Sequence, residues 1–339
     1  MDDLAVLRHY KIYPPQFTPF IVGGCTKIIN FKKGNVMKKI TKQSNLFTLV
    51  QHYKESHDFK KLRDTTKRDY KVNLNRALIT KVNDKTIANY KLKELSRSIF
   101  KQGYDEWLNK GIRTANYTLS VMRKVLNYGI ELELITDNPA KGITRVKETG
   151  RKVIWTPEQV KLFLDHAYLE FETVNIGLIV HMAYSFGQRI GDMRELQWSN
   201  IDFENKKLSL EQSKRRAEIH LPIYDENLLK MLWEQVERFG EISKYVAPSL
   251  VTNSSGYKPY TKVEICKHVN RIKRECGLPP ELYASDMRRT AITEMIESGK
   301  DITSIMSVSG HQNPSSLKPY IKHTLKSATV ALADRKDLW

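Results

Sequence analysis

The chain has 339 residues and a formal net charge of +18, with 56 lysines and arginines against 38 aspartates and glutamates. Its 40% of hydrophobic residues can form cores, which excludes an intrinsically disordered chain, and its length suggests two domains with a small appendage. No apolar run approaches the roughly 20 residues that a membrane-spanning helix needs, and the acidic N-terminus lacks the features of a secretory signal. We therefore expect a protein of the cytoplasm with no membrane contact.

The basic charge is concentrated in the first half of the chain. Residues 1–150 hold 29 lysines and arginines against 14 acidic residues, a net of +15, whereas the remainder holds 27 against 24. Such a basic half is typical of a protein that binds a nucleic-acid backbone, although a lysine-rich solubilising surface would give the same count. Cys25, Cys266 and Cys276 are widely separated and odd in number, so they predict neither a zinc site nor a disulfide framework.

Residues 1–44 show no helical periodicity. They contain three prolines, a Gly-Gly pair and basic clusters such as FKKGNVMKK, which favours a short basic arm or a small strand-rich unit. Because Met37 begins MKKITKQSN, a second interpretation is that translation starts there and that the residues before it are an artefact.

Residues 45–148 are predicted to form a helical domain, since four amphipathic stretches follow one another: LFTLVQHYKES, TTKRDYKVNLNRAL, LSRSIFKQGYDEWLNKG and TANYTLSVMRKVLNYGIELEL. In the last stretch, a core stripe recurs at helical spacing: Leu119, Met122, Leu126 and Ile130. The turn residues DNPAKG end the domain, and the basic linker ITRVKETGRK leads into a second domain over residues 149–339.

The second domain begins with a helix-capping pattern, in which Thr156 is an N-cap, Pro157 the first helical residue and Gln159 the third. An apolar helix, IGLIVHMAYSFG, leads to GQRIGDMREL, and two strand-like runs, KKLSLEQ and AEIHLPI, separated only by SKRR, predict a hairpin. Helices then resume, so this domain is mainly α with a small antiparallel sheet. It contains no dinucleotide fingerprint, Walker A loop or HExxH zinc motif.

Several basic side chains of this domain stand at distinctive positions. Arg189 lies between the apolar helix and a short amphipathic one, and Lys214 lies at the tip of the hairpin. Arg288 follows Ser285 and Asp286, which are predicted to cap the helix that begins there.

Gly310 has the position of a glycine that ends helix ITSIMSVS, His311 follows it directly, and Tyr320 lies nine residues further on. This ordered set resembles the tyrosine recombinases, the family that includes the phage-type integrases. GQRIGDMRELQWSNID resembles the first arginine box of the family, SDMRRTAITEMIESG resembles the second, and GHQNPSSLKPY resembles the segment that runs to the nucleophilic tyrosine. The resemblance covers residues 155–325, and residues 45–148 resemble the family's core-type DNA-binding domain.

The resemblance implies a mainly α, multi-domain protein, in which a helical DNA-binding domain and a catalytic domain form a C-shaped clamp on the duplex. It implies a site-specific DNA recombinase of the integrase type, which integrates or excises a phage or mobile element without a metal or another cofactor. In this chemistry a tyrosine oxygen attacks the scissile phosphate and keeps the 3′-phosphoryl group as an ester. Arginine forks bind the charged transition state, and a lysine protonates the leaving 5′-oxygen.

By resemblance, five residues form the catalytic set. Tyr320 is the nucleophile, and Arg189 and Arg288 clamp the scissile phosphate. Lys214 is the general acid, and His311 donates to the phosphate or assists proton transfer.

Other charged residues beside these motifs have weaker assignments. Asp192 occupies the acidic position of the first box and is expected to orient an arginine. Arg215 and Arg216 compete with Lys214 at the hairpin tip, and Arg289 is interpreted as a surface or structural residue.

Two positions depart from the family pattern. Ser285 stands where the family usually has histidine, and a serine there can donate one hydrogen bond to a phosphate oxygen or simply cap the helix of Arg288. Pro319 removes a backbone N–H directly before Tyr320, so this tyrosine is not expected deep inside a regular helix. We expect Tyr320 at a break or in a first turn, on a segment able to move.

The implied partners are double-stranded DNA recombination sites, with four protomers acting on two sites, together with DNA-bending or directionality proteins. Residues 1–44 would bind separate arm-type sites, and the tail after Tyr320 would pack on a neighbouring protomer. Two alternatives stay open: a non-catalytic DNA-binding relative, for which Ser285 would mark decay, and a type IB topoisomerase, which shares the chemistry without synapsis.

Overall fold

A computed structural model describes residues 40–214 and 216–321, together with Thr329, Leu332 and Ala333. The chain divides into two compact units, with the boundary between Thr149 and Gly150. Among the described residues, no helix is long and apolar enough to cross a membrane. The predictions for most of the N-terminal arm, for Arg215 and for the C-terminal tail lie outside the described residues.

The first unit is a helical bundle with one very short hairpin. Its elements are α1 (Leu46–Glu55), α2 (His57–Lys60), α3 (Asp64–Ile79), β1 (Lys81–Val82), β2 (Lys85–Thr86), α4 (Arg97–Leu108) and α5 (Ile112–Glu131). Asn45 caps α1 by accepting a hydrogen bond from the Thr48 backbone, as polar residues at helix starts commonly do. The predicted stripe of α5 is confirmed at three of its four positions, because Leu119, Met122 and Leu126 are fully buried in the core of this unit, whereas Ile130 is only partly buried.

The second unit combines seven described helices with a three-stranded antiparallel sheet of order β3-β4-β5. Its helices are α6 (Pro157–Ala167), α7 (Phe171–Ser185), α8 (Ile190–Met193), α9 (Glu226–Phe239), α10 (Lys262–Glu275), α11 (Met287–Glu297) and α12 (Ile302–Ser309). Its strands are β3 (Ile201–Asp202), β4 (Lys207–Glu211) and β5 (Glu218–Pro222). The predicted mainly α fold with a small antiparallel sheet is therefore confirmed, as are the capping box at Thr156 and the β4–β5 hairpin.

Helix α7 is the central element of the second unit. Every residue from Thr173 to Ala183 is buried, and the helix packs against α6, α8, α9 and α11. A helix that is apolar on all sides belongs in a protein interior. This packing fixes the C-terminal end of α7, and Arg189 lies just beyond that end.

A partly buried polar cluster joins the end of α7 to the start of α9. The carboxylate of Asp225 accepts hydrogen bonds from the Leu228 backbone at 2.9 Å and from the Ser185 hydroxyl at 2.7 Å, and it lies 2.8 Å from His181 Nε2. The hydrogen bond with His181 is the largest of the effects that hold the pKa of Asp225 below its ordinary value.

We expect Asp225→Asn to lower the free energy of unfolding at pH 7 by about 1–3 kcal/mol, the usual cost of disrupting charge-assisted hydrogen bonds. Because the folded-state pKa is depressed, this stabilisation is complete above the ordinary carboxyl pKa of about 4 and is lost as the pH falls through the folded value. Urea unfolding of both proteins from pH 7 to pH 2 measures it. The difference between them should shrink below about pH 4, and equal stabilities at pH 7 would contradict the assignment.

Candidate active site

The turn after α7 brings Arg189 to the start of α8. Gly187 has a φ of 58°, a left-handed conformation that favours glycine, and this turns the chain sharply out of α7. Arg189 then takes the N-cap position of α8. Its Nη1 donates to Gln212 Oε1 at 3.1 Å and lies 3.6 Å from the carboxylate of Asp192. The side chain is 24% exposed, so its guanidinium is held from one side and accessible from another.

Asp192 connects this arginine to the hairpin. Its carboxylate is buried and also accepts hydrogen bonds from the backbone N–H of Ser213, at 3.2 Å, and from the Ser213 hydroxyl. The side chain thus lies between Arg189 and the residue that precedes Lys214. The orienting role of Asp192 stays a prediction, and these contacts are the ones through which it would act.

Lys214 lies in the exposed turn between β4 and β5. Of its two basic neighbours, Arg216 has a φ of 56° and forms an ion pair with Glu211 at 2.9 Å, which engages its guanidinium on the outer face of the hairpin. Arg216 is therefore already bound to a carboxylate, which favours Lys214 as the hairpin's proton donor.

Helix α11 carries Arg288 into the interior of the unit, where the residue is only 6% exposed. Its Nη2 donates to the Ser309 carbonyl at 2.6 Å, and its Nη1 donates to the Gly187 carbonyl at 3.2 Å and to Gln188 Oε1 at 3.3 Å. Three uncharged oxygens from two separate segments therefore fix the plane of the guanidinium. An arginine fixed in this way presents its donors in a defined direction.

Two fully buried glutamines, which the sequence reasoning missed, join the two arginines. Gln212 accepts from Arg189 and donates through Nε2 to Gln188 Oε1 at 2.6 Å and to the Ser309 carbonyl at 3.0 Å. Gln188 in turn accepts from Arg288 and donates to the Val308 carbonyl at 2.7 Å. Both glutamines lie inside the quoted motifs, in GQRIGD and in EQSK, but the sequence does not show that each points inward.

For the DNA cleavage that the resemblance implies, we expect Gln212→Ala to slow a single turnover by roughly 10–100-fold, because loss of its amide lets Arg189 move and a small misplacement of a positioned group can cost up to this factor. It should also lower stability by about 1–3 kcal/mol, since buried partners lose hydrogen bonds. Gln235→Ala is the matched control, because Gln235 is equally buried and donates to Asn175 at 2.5 Å, outside this network. If both variants slow cleavage equally, Gln212 acts only through stability.

His311 begins the segment that leads to the tyrosine. Gly310 has a φ of 65° and ends α12 as predicted, and a Cβ at this position would lie 2.8 Å from the Gln212 side chain. His311 itself is buried, and its Nδ1 lies 2.8 Å from the Ser309 hydroxyl. Its ring centroid is 5.8 Å from that of Tyr320. The histidine is therefore adjacent both to the carbonyl that anchors Arg288 and to the phenol.

Tyr320 is the last residue of a 3-10 helix that spans Pro314–Tyr320. It is half-buried, and this segment packs through the buried Leu317 against α11 and α12. The expectation that Tyr320 would not lie deep inside a regular helix is therefore confirmed. Pro319 lies inside this 3-10 helix and provides no backbone N–H for it.

Ser285 does not have the capping role that the sequence suggested. Helix α11 is preceded by a 3-10 turn over Ala284–Asp286, its N-cap is Asp286, and neither residue bonds to the α11 backbone as a side-chain cap. Asp286 is buried because it forms an ion pair with Arg151 at 2.8 Å and accepts from the Tyr283 backbone at 3.0 Å. Ser285 is exposed, and no hydrogen bond connects it to the catalytic set within the described residues.

Five of the sequence-predicted residues are thus joined by contacts into one cluster: Arg189, Asp192, Arg288, His311 and Tyr320. A continuous path runs from Arg189 through the two glutamines to Arg288, and on through Ser309 and His311 to Tyr320. Lys214 extends from the hairpin whose base belongs to the same path. The cluster contains fixed cations for an anion, a phenol for nucleophilic attack and an ammonium for proton donation. Among the described residues, no group of three or more metal-ligating side chains occurs.

Comparison with known proteins places this cluster within one family. The model of the phage integrase family matches residues 154–326, just over half of the chain. The ICEBs1 integrase of Bacillus subtilis (strain 168) is 22% identical over 245 residues, which are 66% of this chain and 65% of that protein. The chain therefore spans slightly less than two thirds of the length of that relative.

Two solved structures share the fold at low sequence identity. The Tn1549 transposon integrase, in complex with a circular intermediate DNA, has a TM-score of 0.69 at 16% identity over 86% of this chain and 99% of that one. A lambda integrase tetramer bound to a Holliday junction has a TM-score of 0.65 at 17% identity over 83% of this chain and 78% of that one. The matching family model, the shared fold and the residue cluster agree, and the chain belongs to the phage integrase family of tyrosine recombinases.

Proposed function

We propose that this protein is a site-specific DNA recombinase, an integrase that cleaves and rejoins DNA through a 3′-phosphotyrosine intermediate. The observation that carries the proposal is the hydrogen-bonded path that links Arg189, Arg288 and His311, with Tyr320 against the same histidine. Separate motifs, up to about 130 residues apart in the sequence, converge on one place where a phosphodiester can be bound and attacked.

Arg189 and Arg288 would bind the non-bridging oxygens of the scissile phosphate. Both guanidinium groups donate to neutral amide and carbonyl oxygens, and Arg189 also lies 3.6 Å from the carboxylate of Asp192. Preorganised donors of this kind are each worth about 2.7–4 kcal/mol of barrier. The pentacoordinate transition state, which spreads its charge over these oxygens, is the species they would stabilise most.

In the cleavage step, the Tyr320 oxygen forms a bond to phosphorus while the bond from phosphorus to the 5′-oxygen breaks. The phenol loses its proton, and the leaving 5′-oxygen gains one from Lys214. His311 is placed to donate to the phosphate or to take part in moving the phenolic proton. Attack by a 5′-hydroxyl of a partner strand reverses the step, so the protein conserves the energy of the phosphodiester bond.

The substrate would be double-stranded DNA, and the reaction would integrate or excise a phage or other mobile element. The strongly basic first half of the chain suits a phosphate backbone. The relatives that the chain resembles include integrases, and the two structural neighbours hold DNA, one of them as a tetramer on a Holliday junction. We accordingly propose that four protomers act on two sites, with accessory DNA-bending or directionality proteins as further partners.

The proposal is tested with a DNA substrate nicked close to the cleavage position, so that the short fragment diffuses away and the covalent complex accumulates. Wild-type protein should form an adduct that withstands denaturation, and peptide mapping should place the DNA on Tyr320. The substrate should carry the junction between the proposed mobile element and its host DNA. If no adduct forms on this DNA, the protein is a non-catalytic DNA-binding relative.

A plasmid carrying paired sites separates recombination from simple relaxation. Recombinant circles are expected from a plasmid with two sites and not from a plasmid with none. Relaxation of any supercoiled plasmid without recombinant products would instead identify a type IB topoisomerase.

A further inference from the structure

Helix α11 carries two consecutive arginines that point to different places. Arg288 is buried among the carbonyls that position it, as described above. Arg289 is half-buried and reaches the 3-10 helix that ends at Tyr320. The sequence offered only a surface or structural role for this second arginine, and its contacts define a more specific one.

Arg289 touches the nucleophile segment in two ways. Its Nη1 donates a hydrogen bond of 3.0 Å to the Pro319 carbonyl, which belongs to the peptide unit that joins Pro319 to Tyr320. The guanidinium carbon lies 5.1 Å from the centroid of the Tyr320 ring, within the range of a cation–π interaction. One side chain therefore restrains both the backbone and the ring of the proposed nucleophile.

Within the described residues, the 3-10 helix is held by one buried side chain and by the packing of Tyr320 itself. Leu317 anchors it in a small apolar cluster with Ile292 of α11 and Ile305 of α12. Beyond that anchor, Lys318 and Pro319 are both exposed. A 3-10 helix is weakly hydrogen-bonded, and proline removes one more donor. The direction of the tyrosine therefore depends on contacts made by Tyr320 itself and by the carbonyl in front of it.

We propose that Arg289 is a positioning residue that holds Tyr320 in line for attack on the phosphate bound by its neighbour, Arg288. The inference rests on the proposed function, in which Tyr320 is the nucleophile. The two arginines are adjacent on α11. The residue that would bind the phosphate and the residue that would position the nucleophile therefore belong to the same rigid helix. A small displacement of α11 would move both together and keep their relative geometry.

If Arg289 positions Tyr320, its removal should slow cleavage without weakening the binding of DNA. Arg289→Ala should slow single-turnover adduct formation on the nicked substrate by about 10–100-fold, since misplacing a reacting group by about 1 Å can cost up to 100-fold. The dissociation constant for the same DNA should change by less than about threefold, as expected for loss of a single charge of modest weight. Arg289→Lys should recover part of the rate, because an ammonium can reach the carbonyl but lacks a planar face for the ring.

Arg238→Ala provides a matched control for charge. Arg238 pairs with Glu234 on the surface of α9, and its removal takes away one positive charge without touching the tyrosine segment. A rate loss of the same size in both variants would assign the Arg289 effect to general electrostatics and overturn the inference.

A second nucleophile gives the sharpest test. In a Tyr320→Phe background, hydrogen peroxide can be supplied as the attacking group. One peroxide oxygen loses its proton and forms the bond to phosphorus, the bond to the 5′-oxygen breaks, and the 5′-oxygen takes a proton from Lys214. Adding Arg289→Ala should leave this reaction unchanged within about twofold, because the residue acts through the tyrosine. Adding Arg288→Ala should abolish it, because that residue acts on the phosphate.

Three results would overturn the assignment. Equal slowing of the tyrosine and peroxide reactions by Arg289→Ala would place Arg289 on the phosphate, and unchanged tyrosine cleavage would leave it without a role. Faster cleavage would make its contact a restraint that must be released. The proposed function fails separately, when the wild-type protein forms no adduct, and the inference then fails with it.

Discussion

Lys214→Ala should slow cleavage of an ordinary DNA site by about 100- to 10,000-fold, the usual contribution of a positioned general acid. The reason is chemical, because the 5′-oxygen is a poor leaving group until it receives a proton. Lys214 lies in the exposed turn of the β4–β5 hairpin, at the end of a base that Ser213 and Gln212 fix to Asp192 and Arg189. Its backbone is thus supported, and its side chain is exposed for the proposed proton transfer.

Replacing the bridging 5′-oxygen with sulfur tests this role directly. A thiolate leaves without protonation, so Lys214→Ala should cleave the sulfur-substituted site at a rate within about tenfold of wild type. Arg216→Ala is the matched control, because Arg216 shares the hairpin but is paired with Glu211. If sulfur fails to rescue Lys214→Ala, the lysine binds the phosphate instead and the acid must be sought at His311 or Arg215.

Arg288→Ala should reduce the rate of adduct formation by at least about 100- to 1,000-fold, as removal of a preorganised donor to a developing anion does. The loss should exceed that of any other variant considered, apart from removal of the general acid or the nucleophile. The side chain is buried and satisfies the carbonyls of Gly187 and Ser309, so part of the effect will come from those acceptors losing their donor. Thermal unfolding of the variant measures its loss of stability, and this distinguishes the structural part of the effect from the catalytic part.

The substrate again provides the decisive comparison. A methyl group in place of one non-bridging oxygen removes the negative charge from the scissile phosphate. Arg288→Ala should cleave this neutral linkage far better, relative to wild type, than it cleaves normal DNA. A deficit of the same size on both substrates would mean that the arginine supports the architecture and does not neutralise charge.

Local signals in the sequence predicted much of this structure. The capping box at Thr156, the glycine that ends α12 and the β4–β5 hairpin depend on residues close together in the chain, and all three are present. The ordered motifs also placed Arg189, Arg288, His311 and Tyr320 near one another before any contact was known. Each of these predictions needed only short-range stereochemistry or motif order.

The features that sequence reasoning missed depend on distant partners. Ser285 and Asp286 are equally good helix caps in isolation, but neither side chain caps α11, and the carboxylate of Asp286 pairs instead with Arg151, 135 residues away. The burial of Gln188 and Gln212 likewise follows from the packing of α12 against the hairpin base. The role of Arg289 depends on the rotation of α11 relative to the 3-10 helix, and no periodicity in the sequence specifies that angle.

The C-terminal end of α12 affects how strongly small anions would bind beside Arg288. The carbonyls of Val308 and Ser309, at the helix C-terminus, accept from Gln188, Gln212 and Arg288. A helix C-terminus carries a partial negative charge, which lowers the positive potential around Arg288. Inorganic phosphate and free nucleotides should therefore compete weakly for the pocket. A phosphodiester within a long duplex is held there mainly by contacts between the protein and other phosphates of the same DNA. The occupancy of the site should therefore increase with the length of the DNA.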